Sequence, residues 1–183
     1  LALLFGSRLV QTIMRTALGP LIGNICVEMT CGPLSKGSLL SAFSLGYVTT
    51  QVGGGLLADR LGPKLVILLA TVAAAGLTIA SAACDTVDRL FWAQVLMGAA
   101  QGPLFPTSVS YLTRWLPPDE RSSASSFLDA GITAGSLVAL PFSGRLAAAV
   151  GWSATLVAWG VVSLAFAAAW ALLACTDPLA CAY

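Results

Sequence analysis

Apolar residues in this chain come in long runs separated by short polar links. Each run is close to the length of a membrane-crossing helix, which needs about 20 largely apolar residues. Six runs fit, at about 1–27, 38–57, 65–83, 90–112, 123–150 and 152–174. The links fall at 28–37, 58–64, 84–89 and 113–122, with a turn at Gly151. The pattern therefore predicts an all-α, polytopic membrane protein with one six-helix transmembrane bundle over 1–176. Residues 177–183 read as the start of a central linker or as a truncated tail.

Polar residues inside the runs follow the helical period. Arg8, Gln11 and Arg15 share one face of the first span. Ser44, Tyr47 and Gln51 do so in the second, and Gln94, Gln101 and Ser108 in the fourth. Ser126, Asp129, Thr133, Ser136 and Ser143 make a stripe along the fifth. The third and sixth spans carry only scattered Ser and Thr. Spans one, two, four and five are thus expected to line a shared polar cavity. Spans three and six are expected to face lipid or scaffold.

Intramembrane charge is costly and marks function by default. Arg15 lies mid-span. It reads either as a cation that binds an anion, for which its planar fork is suited, or as a structural partner of Asp129. Arg8 is nearer the span end, where snorkelling to the surface is expected. Asp129 lies about 10 Å into its span at 1.5 Å per residue. It reads as a proton carrier or as a partner for Arg15 or Arg121. Gly98-x-x-x-Gly102 and Gly131-x-x-x-Gly135 permit close helix packing. Pro20, Pro106 and Pro141 are expected to bend their spans. The five Trp cluster mostly near span ends, where interface anchoring is expected.

Composition sharpens the class. The chain has 183 residues, 57% hydrophobic and 9% charged, with mean hydropathy +0.88. Soluble domains carry about 25% charged residues. A net charge of +1 provides no basic field for nucleic acid. There is no His, no pair of catalytic carboxylates and no metal-type Cys pair, so enzyme chemistry and a cofactor are not expected. A bridge between Cys31 and Cys84 and a set of free thiols are both open readings.

The sharpest local signal lies between the second and third spans. Gly55-x-Leu57-Ala58-Asp59-Arg60-x-Gly62-x-Lys64 packs three charges and a Gly-Pro break into one tight hairpin. It resembles the loop signature of the major facilitator superfamily, where this loop is cytoplasmic and helps control the inward gate. The resemblance implies a gating role for Gly55, Asp59, Arg60, Gly62 and Lys64, with Arg114 and Arg121 in the loop on the same side. Positive charges divide four against three across the membrane, so orientation rests on the resemblance.

The hairpin also has an echo. Residues 55–62 parallel residues 144–151 at an offset of 89, and Gly46 and Gly135 share that offset. Three spans separate the copies, which places them on opposite sides of the membrane. That is the 3+3 inverted repeat expected within one half of a major facilitator fold. The second copy lacks the acid.

Residues 41–55, 95–106, 114–121 and 134–141 narrow the resemblance. They look like the anion:cation symporter branch, which holds phosphate carriers, vesicular glutamate transporters, sialin-type carriers and bacterial organic-acid importers. The resemblance implies transport of a small anion driven by H+, Na+ or voltage, with Arg15, Tyr47, Gln51, Gln94 and Gln101 as substrate-binding candidates. The branch usually has Arg where this chain has Gln94, and Glu where it has Gln101. These departures put anion specificity and proton coupling in question. Asp129 is the candidate replacement for the lost carboxyl.

The expected function is secondary transport of inorganic phosphate or an organic anion by alternating access. The expected partners are a small anionic solute, H+ or Na+, the lipid bilayer and a second six-helix half on this or another chain. The alternative is a non-transporting assembly subunit that keeps the scaffold. The chain opens inside a span and stops where a linker would start, so an N-terminal half or a fragment is expected. Plasma, plastid and vesicular membranes all remain open.

Overall fold

The computed structural model describes residues 1–174. The region read as linker or tail, 177–183, lies outside the described residues, as do Cys175 and Cys181. Among the described residues seven helices follow one another: α1 (Ala2–Glu28), α2 (Pro33–Leu61), α3 (Pro63–Ser81), α4 (Val87–Gln101), α5 (Leu104–Trp115), α6 (Arg121–Val150) and α7 (Trp152–Leu173). There is no strand among the described residues.

Helix breakers set the joints. Gly32 precedes Pro33 at the start of α2, where the missing proline N–H would be unpaired in any case. Gly62 ends α2 and opens α3 with φ 82° and ψ 143°. Gly151 does the same between α6 and α7 with φ 87° and ψ 164°. Both joints use a conformation that is essentially restricted to glycine. They are also one of the glycine pairs at the repeat offset of 89 residues, so the echo in sequence is an echo in backbone.

α4 and α5 are two pieces of one span. Pro103 has no N–H to offer the Ala99 carbonyl, and the ladder breaks there. The freed carbonyl accepts instead from Thr50 Oγ1 of α2 at 2.8 Å. Gly102 makes this possible, because an added Cβ would collide with that same Thr50 oxygen. A neighbouring helix thus re-satisfies the backbone, as membrane-embedded breaks require. Pro106, expected to bend its span, sits in the first turn of α5, where its lost N–H has no partner to miss.

Packing repeats the symmetry. The broadest contacts join α1 with α6, α2 with α4, and α3 with α7. Exchanging the first three spans with the last three maps the first pair onto the second and the third onto itself. α3, α6 and α7 are each long and apolar enough to cross a membrane unaided. The core lies in three layers. Leu4, Ile67, Leu104 and Trp170 pack toward the hairpin end. Val10, Met14, Phe43 and Met97 form the middle. Leu21, Ile25, Leu90 and Leu156 pack toward the other end.

Three of the five Trp turn inward. Trp170 Nε1 donates to the Lys64 carbonyl at 3.1 Å, and Trp159 Nε1 to Ser143 Oγ at 2.9 Å. Trp152 Nε1 donates to the Glu28 carboxylate. Each of these N–H groups ties α7 to another helix. Trp92 is 60% exposed, and Trp115 is half-buried and stacks on Tyr111.

Candidate functional site: a polar pocket between helices α1, α2, α4, α5 and α6

Glycine notches place the site's walls. α6 lies on α1 at Gly131, where a Cβ would stand 2.9 Å from the Phe5 carbonyl oxygen and 3.2 Å from Arg8 Cβ. At Gly135 it would stand 2.6 Å from the Leu9 carbonyl oxygen. α4 lies on α2 in the same manner: a Cβ on Gly98 would meet the Phe43 carbonyl, and one on Gly46 the Val95 carbonyl. These approaches fix the rotation of α1 and α2, and with it the direction of their polar faces.

Between them is a pocket of about 150 Å³, lined by Arg8, Gln11, Arg15, Tyr47, Gln101 and Phe105. Thr12, Leu104 and Ile132 complete it. Spans one, two, four and five all contribute, and the third and sixth contribute nothing; the fifth contributes Ile132, and none of its polar stripe, Ser126, Asp129, Thr133, Ser136 and Ser143, lines the pocket. No carboxylate lines it. Arg8 lies over the Phe105 ring, 5.1 Å from its centroid, and Arg15 over Phe43 at 5.3 Å. Each ring face holds its cation by quadrupole attraction.

The arginines differ in depth. Arg15 is exposed and stands at the rim. Arg8 is only 6% exposed, against the expectation that it snorkels out. The reason is tertiary: α6 closes on its Cβ at Gly131 and Phe105 covers its head. Arg15 and Asp129 make no ion pair with each other, so the structural pairing of the two is not seen. Asp129 is exposed on α6, within electrostatic reach of Arg8.

Other candidates lie elsewhere. Gln94 is 2% exposed and its Nε2 donates to Ser81 Oγ of α3 at 3.4 Å, so it belongs to the α3–α4 seam and not to the pocket wall. Gln51 is half-buried and also off the wall. In the hairpin, Gly55 lies in α2 two turns before the Gly62 joint, and Asp59 and Arg60 are exposed. Lys64 accepts from Trp170 through its carbonyl. Arg121 donates through Nε to the Leu116 carbonyl and through Nη2 to the Thr113 carbonyl, both at 3.0 Å. It thereby caps the C-terminus of α5, where a cation complements the helix dipole. Arg114 stands in the last turn of that helix. Cys26, Cys31 and Cys84 are free thiols. A larger cleft of about 430 Å³ near the hairpin end is lined by Leu4, Tyr111, Trp115 and Trp170 with other apolar residues, and carries no charge to hold an anion.

Known proteins agree on the family. The model of the Major Facilitator Superfamily matches residues 4–179. The hexuronate transporter of Bacillus subtilis (strain 168) is 28% identical over 167 residues, covering 91% of this chain and 40% of that protein. Sialin of Ovis aries is 32% identical over 146 residues, covering 79% of this chain and 30% of its own length. Vesicular glutamate transporter 3 of Danio rerio is 30% identical over 150 residues, covering 80% and 25%. The chain thus spans 25–40% of the length of these relatives. Among solved structures, a bacterial homolog of the human lysosomal transporter Spinster, inward-facing and occupied, superposes with TM-score 0.86 at 18% identity, over 97% of this chain and 44% of that one. With its hairpin signature, its inverted repeat and a family match across nearly its whole length, the chain is a multi-pass integral membrane protein that belongs to the Major Facilitator Superfamily.

Proposed function

We propose that the chain is one six-helix half of a secondary transporter that moves a small organic anion by alternating access. The observation that carries this reading is the pocket itself: two arginines, four uncharged polar side chains and no carboxylate, set between four spans. An anion is the solute such a wall favours. The names of two relatives point the same way, since hexuronate and glutamate each carry a carboxylate. Phosphate fits the same donors.

In this reading Arg15 at the rim meets the solute first, and Tyr47 and Gln101 orient it. A second six-helix half covers the pocket, since such sites lie between repeats at the bilayer midplane. Leu45, Val48, Val52 and Leu56 of α2 and Leu137 and Leu140 of α6 are exposed and supply apolar surface for it. Asp59, Arg60 and Lys64, with Gly55 and Gly62 shaping the hairpin and Arg114 and Arg121 across the same side, form the gate. Asp129 is the coupling carboxyl if the driving ion is H+; Na+ is the other candidate.

Uptake into proteoliposomes tests this, with the full native reading frame beside the 183-residue chain. Glucuronate, glutamate, sialate and phosphate are offered under imposed pH, sodium and voltage gradients. Uptake by the long form, with loss of about tenfold or more in Arg15→Gln, is expected. Silence from both folded proteins would turn the reading toward a non-transporting assembly subunit. Asp129→Asn is expected to abolish stimulation by a pH gradient. Unchanged proton-driven uptake in that variant would remove Asp129 from the mechanism.

A further inference from the structure

Three buried donors face one pocket, and nothing among the described residues accepts from them: Nε of Arg8, Nε2 of Gln11 and Nε2 of Gln101. Arg8 and Gln11 are 6% exposed and Gln101 is 3% exposed. Burying a donor without an acceptor is unfavourable, and burying an unpaired cation is more so. Scattered through a bundle, such groups would be defects. Gathered on one wall, they are half of a binding site whose acceptors come from outside.

We propose that Arg8, Gln11 and Gln101 form an anion-binding site of their own, set deeper in the bundle than Arg15, which takes one carboxylate or phosphate group of a small solute. Gln11 stands one helical turn from Arg8 on the same face of α1. Gln101 faces them from the end of α4, at the break before Pro103. The ring of Phe105 fixes the guanidinium plane and leaves the Nε–H uncommitted. Unsatisfied N–H groups from two helices thus line one small pocket, which suits a group with several acceptor oxygens. At about 150 Å³ the pocket is smaller than the ~300 Å³ or more of sites that enclose a whole drug-sized ligand. It holds the charged end of a solute and leaves the remainder toward Arg15 and the rim. The inference rests on the anion reading of the pocket given above. What it adds is the residue that holds the charge.

The test is anion binding to the full native protein in lipid nanodiscs, by titration calorimetry in a Tris chloride buffer, with inorganic phosphate and glucuronate as probes. Thermal unfolding without ligand is measured in parallel. Arg8→Met is expected to weaken both probes by about tenfold or more and to raise the ligand-free unfolding temperature, because it removes an unpaired buried charge. A structural arginine would do the reverse on the second count, and a lowered unfolding temperature would overturn the proposal. Arg8→Lys keeps the charge but not the Nε–H, and is expected to fold normally and bind more weakly than the native protein. Gln101→Glu places a carboxylate where it can take up the donors from within, and is expected to abolish binding. Arg145→Met, on the exposed end of α6, is expected to bind as the native protein does. Native binding in Arg8→Met with loss in Arg15→Met would overturn the proposal and leave the anion reading standing. A native protein that neither binds nor transports either probe would overturn both.

Discussion

Arg8 and Arg15 lie two turns apart on α1 and carry the same charge, yet their surroundings give them different work. Arg15 keeps contact with solvent at the rim, while Arg8 is enclosed. The single hydroxyl of Thr50 is as decisive for the backbone, since it holds the Ala99 carbonyl that Pro103 leaves without a donor. Thr50→Val keeps shape and removes that bond. The carbonyl is then stranded, at a cost of about 1–2 kcal/mol. A drop in unfolding temperature in detergent measures it, with Thr49→Val as control, because the Thr49 hydroxyl donates only within its own helix, to Gly46. Cys84, in the link between α3 and α4, is held above the ordinary thiol range by burial, which outweighs the nearby Arg89. Less of it is thiolate at neutral pH, and thiolate is the reactive form. Its alkylation by maleimide is expected to be slow at pH 7 and to reach half-maximal rate at a higher pH than a free thiol does.

At the level of elements, helix pairs are set by glycines on one partner and carbonyls on the other. Gly46 and Gly98 join α2 to α4, and Gly131 and Gly135 join α6 to α1. Gly46→Ala puts a methyl into the Val95 carbonyl and is expected to destabilise by about 1–3 kcal/mol, the range of overpacked cores. Gly19 lies inside α1 with nothing within 4 Å of an added Cβ. Gly19→Ala is expected to stabilise by about 0.5–1 kcal/mol through helix propensity. Opposite shifts in unfolding temperature for two identical chemical changes would show that contact, and not glycine content, governs the bundle. Gly62 and Gly151 are different. Nothing crowds Gly151; its φ of 87° is what excludes a side chain. Gly151→Ala is expected to cost about 1–3 kcal/mol by backbone strain alone.

For the molecule as a whole, the two halves of the repeat share joints and contact pattern but not charge. The hairpin copy keeps Asp59 and Arg60, and the Gly144–Gly151 copy has alanines there. An odd number of spans separates the hairpin from the links that hold Cys31 and Cys84. A membrane-impermeant maleimide is therefore expected to reach those two thiols from one side only. A cysteine placed at exposed Asp59 should react only from the other side. Labelling of all three from one face would contradict the inverted repeat.

The sequence by itself determined the class, the six spans of the family fold, the hairpin and the repeat. Each is local or periodic: hydropathy summed over one helix length, a Gly-Pro break, a motif repeated at a fixed offset. Helical period also placed the polar faces of spans one, two and four, so Arg15, Tyr47 and Gln101 were legible as neighbours in one cavity, whereas the polar stripe of span five lies off the pocket wall. The tertiary structure alone decided which polar residues meet. Gln94 and Gln101 fall on one face of the fourth span, yet Gln94 turns to Ser81 and Gln101 to the pocket. Both lie in α4, one packed on α3 and the other at the helix end beside α1, so the neighbouring helix and not the period separates them. Arg8 reads as a snorkelling residue because depth along one helix is all that a sequence provides. Its burial comes from Gly131 and Phe105, more than 90 residues away. The inward bonds of Trp152, Trp159 and Trp170 have the same origin. Helix rotation is fixed by contacts between distant segments, and rotation decides what a side chain touches.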